Sequence, residues 1–339
     1  MKMAGSIRRF LVTAAALTVV IPLQALKLAA DSPLKLIKSA PLPGNPTRFD
    51  YQSLAVESGI LYLSHMGDGR MVVFNTRTDK VLANLKGFPE CTGVLAAPPI
   101  HRVYVSVTGL HQVAVVDTRT LKTVARIDGP RFPDGIAYDA DDGRIFVSDE
   151  FGRADWVIDS ATDKVIKRIP LGGEAGNTRY DPITQQILVP VQTLNKLLVI
   201  SPRTLKIIGR YPLPGIEGAH GLYIDIPHRL AYIAGEDNSR LAVFNLQTRK
   251  VISIYAVGNG PDVLALDPGA DRLYVASESG EVYIFQQNGS ALSLLGTYYA
   301  PHAHTIEVNP QTHQIYLPLQ DVNGEPQMQI LSFSPHKRR

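Results

Sequence analysis

The sequence predicts an all-β chain built from seven four-stranded units, and three observations carry that prediction. A β-rich segment recurs with anchors at Tyr62, Tyr104, Phe146, Leu188, Tyr232, Tyr274 and Tyr316, separated by 42, 42, 42, 44, 42 and 42 residues. Eighteen residues after the first five anchors stand Lys80, Lys122, Lys164, Lys206 and Lys250, each preceded at two residues' distance by Thr78, Thr120, Thr162, Thr204 or Thr248. The last unit is one strand short, and a segment of outer-strand character stands at the opposite end of the chain. A period near 42 is that of a propeller blade. Sheets stacked radially around a channel bury one another's faces and leave only short edges. The expected fold is a seven-bladed β-propeller with antiparallel blades.

Taken in chain order, the first thirty residues stand apart. Lys2, Arg8 and Arg9 precede an apolar run from Phe10 to Ile21, with Pro22 and the small residues Ala25, Ala29 and Ala30 beyond. This is the layout of a signal peptide cleaved after Ala25 or Ala30, so an exported protein, periplasmic or extracellular, is expected. Twelve apolar residues are short for a bilayer span, and no stable membrane span is expected after cleavage. The pair Arg8 and Arg9 leaves the general secretory and twin-arginine routes both open. Leu34–Gly44 then reads like Asp163–Gly173, the outer strand of the third unit, and is expected to complete blade 7. Blade 2 displays the repeat most clearly, as Val94–Ala97, Arg102–Val107, Gln112–Asp117 and Lys122–Ile127, with Pro, Gly, Asp and Thr in the gaps. The final unit runs from Ile306 to about Phe333 and supplies three strands. Residues 31–335 are thus expected to form one domain, followed by the basic tail 336–339.

Composition narrows the function classes. With 45% hydrophobic and 19% charged residues, the chain buries most of its strands and is not of the disordered class. Removing residues 1–30 removes four of the 34 basic residues and none of the 31 acidic ones, so the net charge of +3 becomes −1. A general polyanion surface is not indicated, and no nucleic-acid partner is expected. Cys91 is the single cysteine, which excludes both an internal disulfide and a Cys-x-x-Cys-His haem attachment. No nucleophile elbow, phosphate loop or zinc-protease motif is present.

The segments Arg102-Val-Tyr-Val-Ser, Gly143-Arg-Ile-Phe-Val-Ser and Arg272-Leu-Tyr-Val-Ala resemble the YVTN-type β-propeller repeats of exported bacterial and archaeal proteins. Each is followed by a second strand and a stretch such as Val113–Val124. None of the seven units reads Thr-Asn at the last two letters, and blades 4 and 7 diverge most. The resemblance implies the fold; proteins similar to this family include binding modules, surface proteins, and relatives with haem, quinone-linked or hydrolytic activities. Fold analogy does not choose among these.

Topology sorts the loops. In a four-stranded meander, the second-to-third-strand turns and the blade crossovers share one face, where propellers usually bind ligands. Twelve residues before the anchors, where each crossover enters the innermost strand, the sequence reads Asp50, Thr92, Asp134, Gly176, His220, Asp262 and His304. Crossovers add Glu174, Glu217 and His302 to this face, and second-to-third turns add Glu150, Glu236 and Glu278. The extra two residues of the 44-residue unit fall within Pro212–Ala219, beside His220, and mark the same face.

Two imidazoles and two carboxylates, His220, His304, Asp50 and Asp262, are the donor types that hold zinc, manganese or iron. A metal there would lower the pKa of a bound water, with Glu236 as candidate general base. The plain alternative is that polar side chains line a wet channel. The leading expectation is a binding module for a small polar ligand or protein partner. The alternative is a metal-dependent, lactonase-like hydrolase or lyase. No cofactor beyond that divalent metal is expected.

Overall fold

A computed structural model describes residues 32–334; the expected signal segment 1–30 and the basic tail 336–339 lie outside the described residues. Seven four-stranded antiparallel sheets form the ring, six of them meanders of consecutive strands. In the seventh, Leu34–Pro41 lies antiparallel to Glu325–Phe333, with Leu34 opposite Phe333 and Pro41 opposite Gln327. The N-terminal strand thus closes the ring as expected. No described helix is long and apolar enough to cross a membrane.

The threonine and lysine fingerprint has a local cause. In the turns between third and fourth strands, the N–H groups of Thr78, Thr120, Thr162 and Thr248 donate to side-chain oxygens of Asn75, Asp117, Asp159 and Asn245 at 2.8 to 3.0 Å. Thr204 uses the Ser201 hydroxyl in the same way. The residue that follows each threonine adopts a left-handed φ of 53° to 58°. A side-chain-capped turn ending in a left-handed residue reverses the chain into the outermost strand. That strand begins at or next to the lysine, at Thr123 in blade 2.

The anchors lie on the second strands and are buried, with Tyr62 the least so at 3% exposure. Their side chains fill the seams between blades: Tyr104 packs in a cluster with Ile136, Ile145 and Ile158 of blade 3, and Tyr316 in one with Leu61, Leu63 and Phe74 of blade 1. The core is therefore a series of blade-to-blade interfaces, and each blade depends on its neighbours. Cys91 belongs to one such seam; its thiol donates to the Arg70 carbonyl, and burial pushes its pKa up to about 12.

The innermost strands position the channel mouth. In blades 2, 3, 5 and 6 they are the seven-residue strands Cys91–Ala97, Pro133–Asp139, Ala219–Asp225 and Pro261–Asp267. Each breaks register against its neighbour over the same two residues, Thr92–Gly93, Asp134–Gly135, His220–Gly221 and Asp262–Val263. Such a bulge re-aims a side chain out of the ladder. In blades 1, 4 and 7 the innermost strands are shorter, and Asp50, Gly176 and His304 precede them. Gly176 has a packing reason: a Cβ there would lie 2.6 Å from the His220 carbonyl oxygen.

Candidate functional site

The residues twelve places before the anchors do converge. Asp50, Asp134, His220, Asp262 and His304 are all buried, none more than 8% exposed. All but His304 line a cavity of about 140 Å³, together with Arg48, Thr92, Phe132, Glu150, Glu236 and Glu278.

Tyr51 organises this cavity. Its hydroxyl receives a hydrogen bond from Asn177 Nδ2 at 2.9 Å, donates to Asp262 Oδ1 at 3.1 Å and meets His220 Nε2 at 3.1 Å. A phenol has one proton, and an ionised carboxylate only accepts, so the proton goes to Asp262 and His220 Nε2–H donates to Tyr51. One tyrosine from blade 1 thereby ties together blades 4, 5 and 6 across the channel.

Electrostatics follow from this packing. Burial opposes charge on His220, but Asp262, Asp134 and Glu236 outweigh it and raise the imidazole to about 9. His220 Nε2 lies 3.6 Å from both Asp134 Oδ2 and Asp262 Oδ1. Loss of solvent pushes the Asp134 carboxyl up to about 8, although His220 pulls the other way. Asp134 Oδ2 and His220 Nδ1 are buried without a hydrogen-bond partner among the described residues. Beside them, His304 Nε2 and Asp50 Oδ1 form a buried pair at 3.0 Å. Burial would raise the Asp50 carboxyl, but the His304 bond and Arg48 hold it below the usual range. Desolvation raises Asp262, Glu150 and Glu236. Arg48 bridges Glu278 at 2.8 Å and Asp50 at 3.4 Å. Asp134 is mostly protonated near neutrality, and the five other carboxyl groups still outnumber the cationic Arg48, His220 and His304, an excess that favours a positively charged guest.

Of the four metal candidates, three meet. Ligand atoms of Asp50, Asp262 and His304 lie within 4.8 Å of one another. His220 is not among them, because its Nε2 is turned to the Tyr51 hydroxyl. Glu236 lines the same cavity.

The other expected face residues divide: Glu150 and Glu278 line the cavity, whereas Glu174, Glu217 and His302 do not. Glu174 pairs with Arg153 at 3.1 Å and does not line the cavity. Glu217 is exposed, and so is His302, in a left-handed turn with φ 63°. Glu150 is bound by Gln192 Nε2 at 3.1 Å, and Glu278 stands exposed at the rim. No residue of Pro212–Ala219, where the two-residue insertion falls, lines the cavity. Leu213 and Ile216 are 2% exposed and pack in a cluster with Leu197 and Ile233, so the extra length fills the seam between blades 4 and 5.

Arg48, Tyr51 and Asn177 were absent from the sequence-derived set, although a signal existed. Eleven residues before the anchors the chain reads Tyr51, Gly93, Gly135, Asn177, Gly221, Val263 and Thr305, a single aromatic among small residues. Fourteen before, Arg48 is the one arginine or lysine among Glu90, Phe132, Glu174, Gly218, Gly260 and His302.

No family model matches the chain, and no curated protein matches it. Among solved structures the chain is similar to hydrazine synthase of Kuenenia stuttgartiensis, with a TM-score of 0.74 over 87% of this chain and 97% of that chain, at 12% identity. At that identity the likeness shows the fold alone: an all-β, seven-bladed propeller, an architecture that fits a binding module.

Proposed function

We propose that the protein is an exported binding module that takes a small polar ligand bearing positive charge in the well at the channel mouth. One observation carries the reading: six carboxyl groups converge from blades 1, 3, 5 and 6 on a cavity of about 140 Å³, in which the Tyr51 hydroxyl fixes Asp262 and His220 and Arg48 fixes Asp50 and Glu278. Prior ordering of this kind lowers the cost of binding. Protein partners on the exposed rim, through Glu217 or His302, are the alternative occupants.

A second reading has its own support. The grouping of Asp50, Asp262 and His304 supplies two carboxylates and an imidazole, a donor set suited to a divalent transition metal. Glu236, with its raised pKa, lines the same cavity and is the candidate general base of a lactonase-like hydrolase or lyase.

The test is the metal content of the mature protein, purified without chelators or a histidine tag, followed by calorimetric titration with Mn²⁺ and with ethanolamine. One equivalent of metal, lost in Asp262→Ala and His304→Ala, supports the metal reading and calls for screening of lactones and esters. Ethanolamine binding to metal-free protein supports the binding module. Folded protein that takes up neither leaves the mouth an ordinary wet channel and ends both readings. The mass of the secreted chain tests export, with cleavage after Ala25 or Ala30 expected.

A further inference from the structure

Below Tyr51 the channel opens into a second chamber of about 390 Å³, facing the opposite side of the ring through the turns at Pro182 and Ile226. Its wall differs from that of the mouth. Val94, Leu95, Ile136, Leu264 and Ile306 make it apolar, and Tyr138, Tyr180 and Tyr223 add aromatic surface. Nine residues before the anchors the chain reads Ser53, Leu95, Ala137, Arg179, Tyr223, Ala265 and Glu307, so this ring holds one guanidinium and one carboxyl group.

Arg179 has no ion-pair partner within 4.0 Å among the described residues. Its Nε donates to the Leu222 carbonyl at 3.1 Å, and Nη1 reaches the Ile136 and Thr178 carbonyls at 3.5 and 3.4 Å. These bonds fix the guanidinium in place, and Nη2 makes no protein hydrogen bond among the described residues. A half-buried cation with no carboxylate at contact distance keeps its attraction for an anionic guest. A planar guanidinium is also the group that best recognises a carboxylate. Glu307 does not serve as that counter-ion at contact distance. It accepts the Val308 N–H at 3.0 Å, and desolvation raises its pKa to about 7, so near neutrality it is half protonated and able to donate a hydrogen bond.

We propose that this chamber is a second binding site, separate from the mouth, for a small carboxylate with an apolar or aromatic body. The carboxylate meets Arg179, and the body lies against Leu95, Ile136, Leu264 and the tyrosine rings. The volume falls in the lower part of the ~300–1,000 Å³ range of ligand pockets, which excludes large substrates. Entry is from the face opposite the crossovers, and Tyr51 is the wall shared with the mouth. A water-bridged Arg179 and Glu307 pair with no ligand is the competing account.

Calorimetric titration with phenylacetate and with its neutral isostere phenylacetamide separates the two. The expected result is saturable binding of one phenylacetate per chain, with the amide about tenfold weaker or worse. Arg179→Met, which keeps the apolar length, is expected to weaken phenylacetate by about 10- to 100-fold, the loss typical of charge-assisted hydrogen bonds. Three results would overturn the proposal: no saturable heat up to about 10 mM phenylacetate, equal affinity for acid and amide, or undiminished affinity in folded Arg179→Met. Arg179 also ties three carbonyls, so if its variant does not fold, the acid and amide comparison on the unaltered protein decides alone.

Discussion

Replacing Tyr51 by Phe removes one oxygen atom from the point where blades 1, 4, 5 and 6 meet. The ring and its packing stay, so the effect isolates the hydroxyl. Three hydrogen bonds are lost, one of them to the Asp262 carboxylate. The bond from His220, protonated at pH 7, also involves a charged group; with neutral bonds at ~0.5–1.5 kcal/mol and bonds to charged groups at ~1.5–3 kcal/mol each, the gross loss is ~3.5–7.5 kcal/mol. Water entering from the adjoining cavities would satisfy some of the orphaned groups, which brings the expected loss to about 2–4 kcal/mol. The assay is urea unfolding at pH 7, with Tyr274→Phe as control. The Tyr274 hydroxyl is buried without a hydrogen-bond partner among the described residues, so its removal should change stability by less than about 0.5 kcal/mol or increase it. If Tyr51→Phe costs no more than Tyr274→Phe, the hydroxyl is not a structural junction, and the description of a preorganised mouth is wrong.

Stability should fall as pH rises from about 6.5 to 9. His220 titrates near 6.5 unfolded and about 9 folded, and Asp134 near 3.8 unfolded and about 8 folded. In both cases the folded state holds the proton longer, so each contributes a negative slope of up to ~1.4 kcal/mol per pH unit within its window. The Asp134 slope ends near 8 and the His220 slope near 9; Asp50, with its depressed pKa, adds none in this range. Urea midpoints that stay level or rise from pH 6.5 to 9 would contradict the assignment, and Asp134→Asn should flatten the lower part of the curve. Omitting Leu34–Pro41 should abolish the cooperative thermal transition, because Glu325–Phe333 then becomes an open edge; an unchanged melt would refute ring closure as a source of stability. Cys91 should resist a thiol reagent in the native protein and react fully in denaturant, since it is 0% exposed and its thiol stays protonated. Rapid native labelling would place it outside the seam.

The fold was readable because its period is set by local chemistry that repeats. A turn capped by Asn75, Asp117, Asp159 or Asn245, a left-handed residue and a lysine leave a mark at fixed distance from each anchor. The mouth residues were readable for a related reason: the same bulge in four blades sends the same register position inward. Loop positions were less so. Topology assigns Glu174, Glu217 and His302 to a face but not their side chains to a direction, and a left-handed φ at His302 accompanies an exposed ring. His65 ends its strand just before a second-to-third turn, yet its ring does not reach the mouth cavity: it stacks on Phe49 at 4.1 Å and is buried. Tyr51 escaped notice because a phenol is not an obvious ligand; what marks it is the smallness of its counterparts in the other blades.

The pairing of Leu34–Pro41 with Glu325–Phe333 joins residues about 300 positions apart. Closing so long a loop costs roughly 3 kcal/mol more entropy than closing a hairpin of about ten residues. Six blades can form from neighbouring strands as the chain emerges, but the first strand must wait for the last. The ring is therefore an open arc until synthesis is nearly finished, and its final closure is the slow, long-range step. Once made, the same clasp is the gate through which unfolding must pass. Resistance to proteolysis should then follow the lifetime of this one seam rather than the summed stability of the blades.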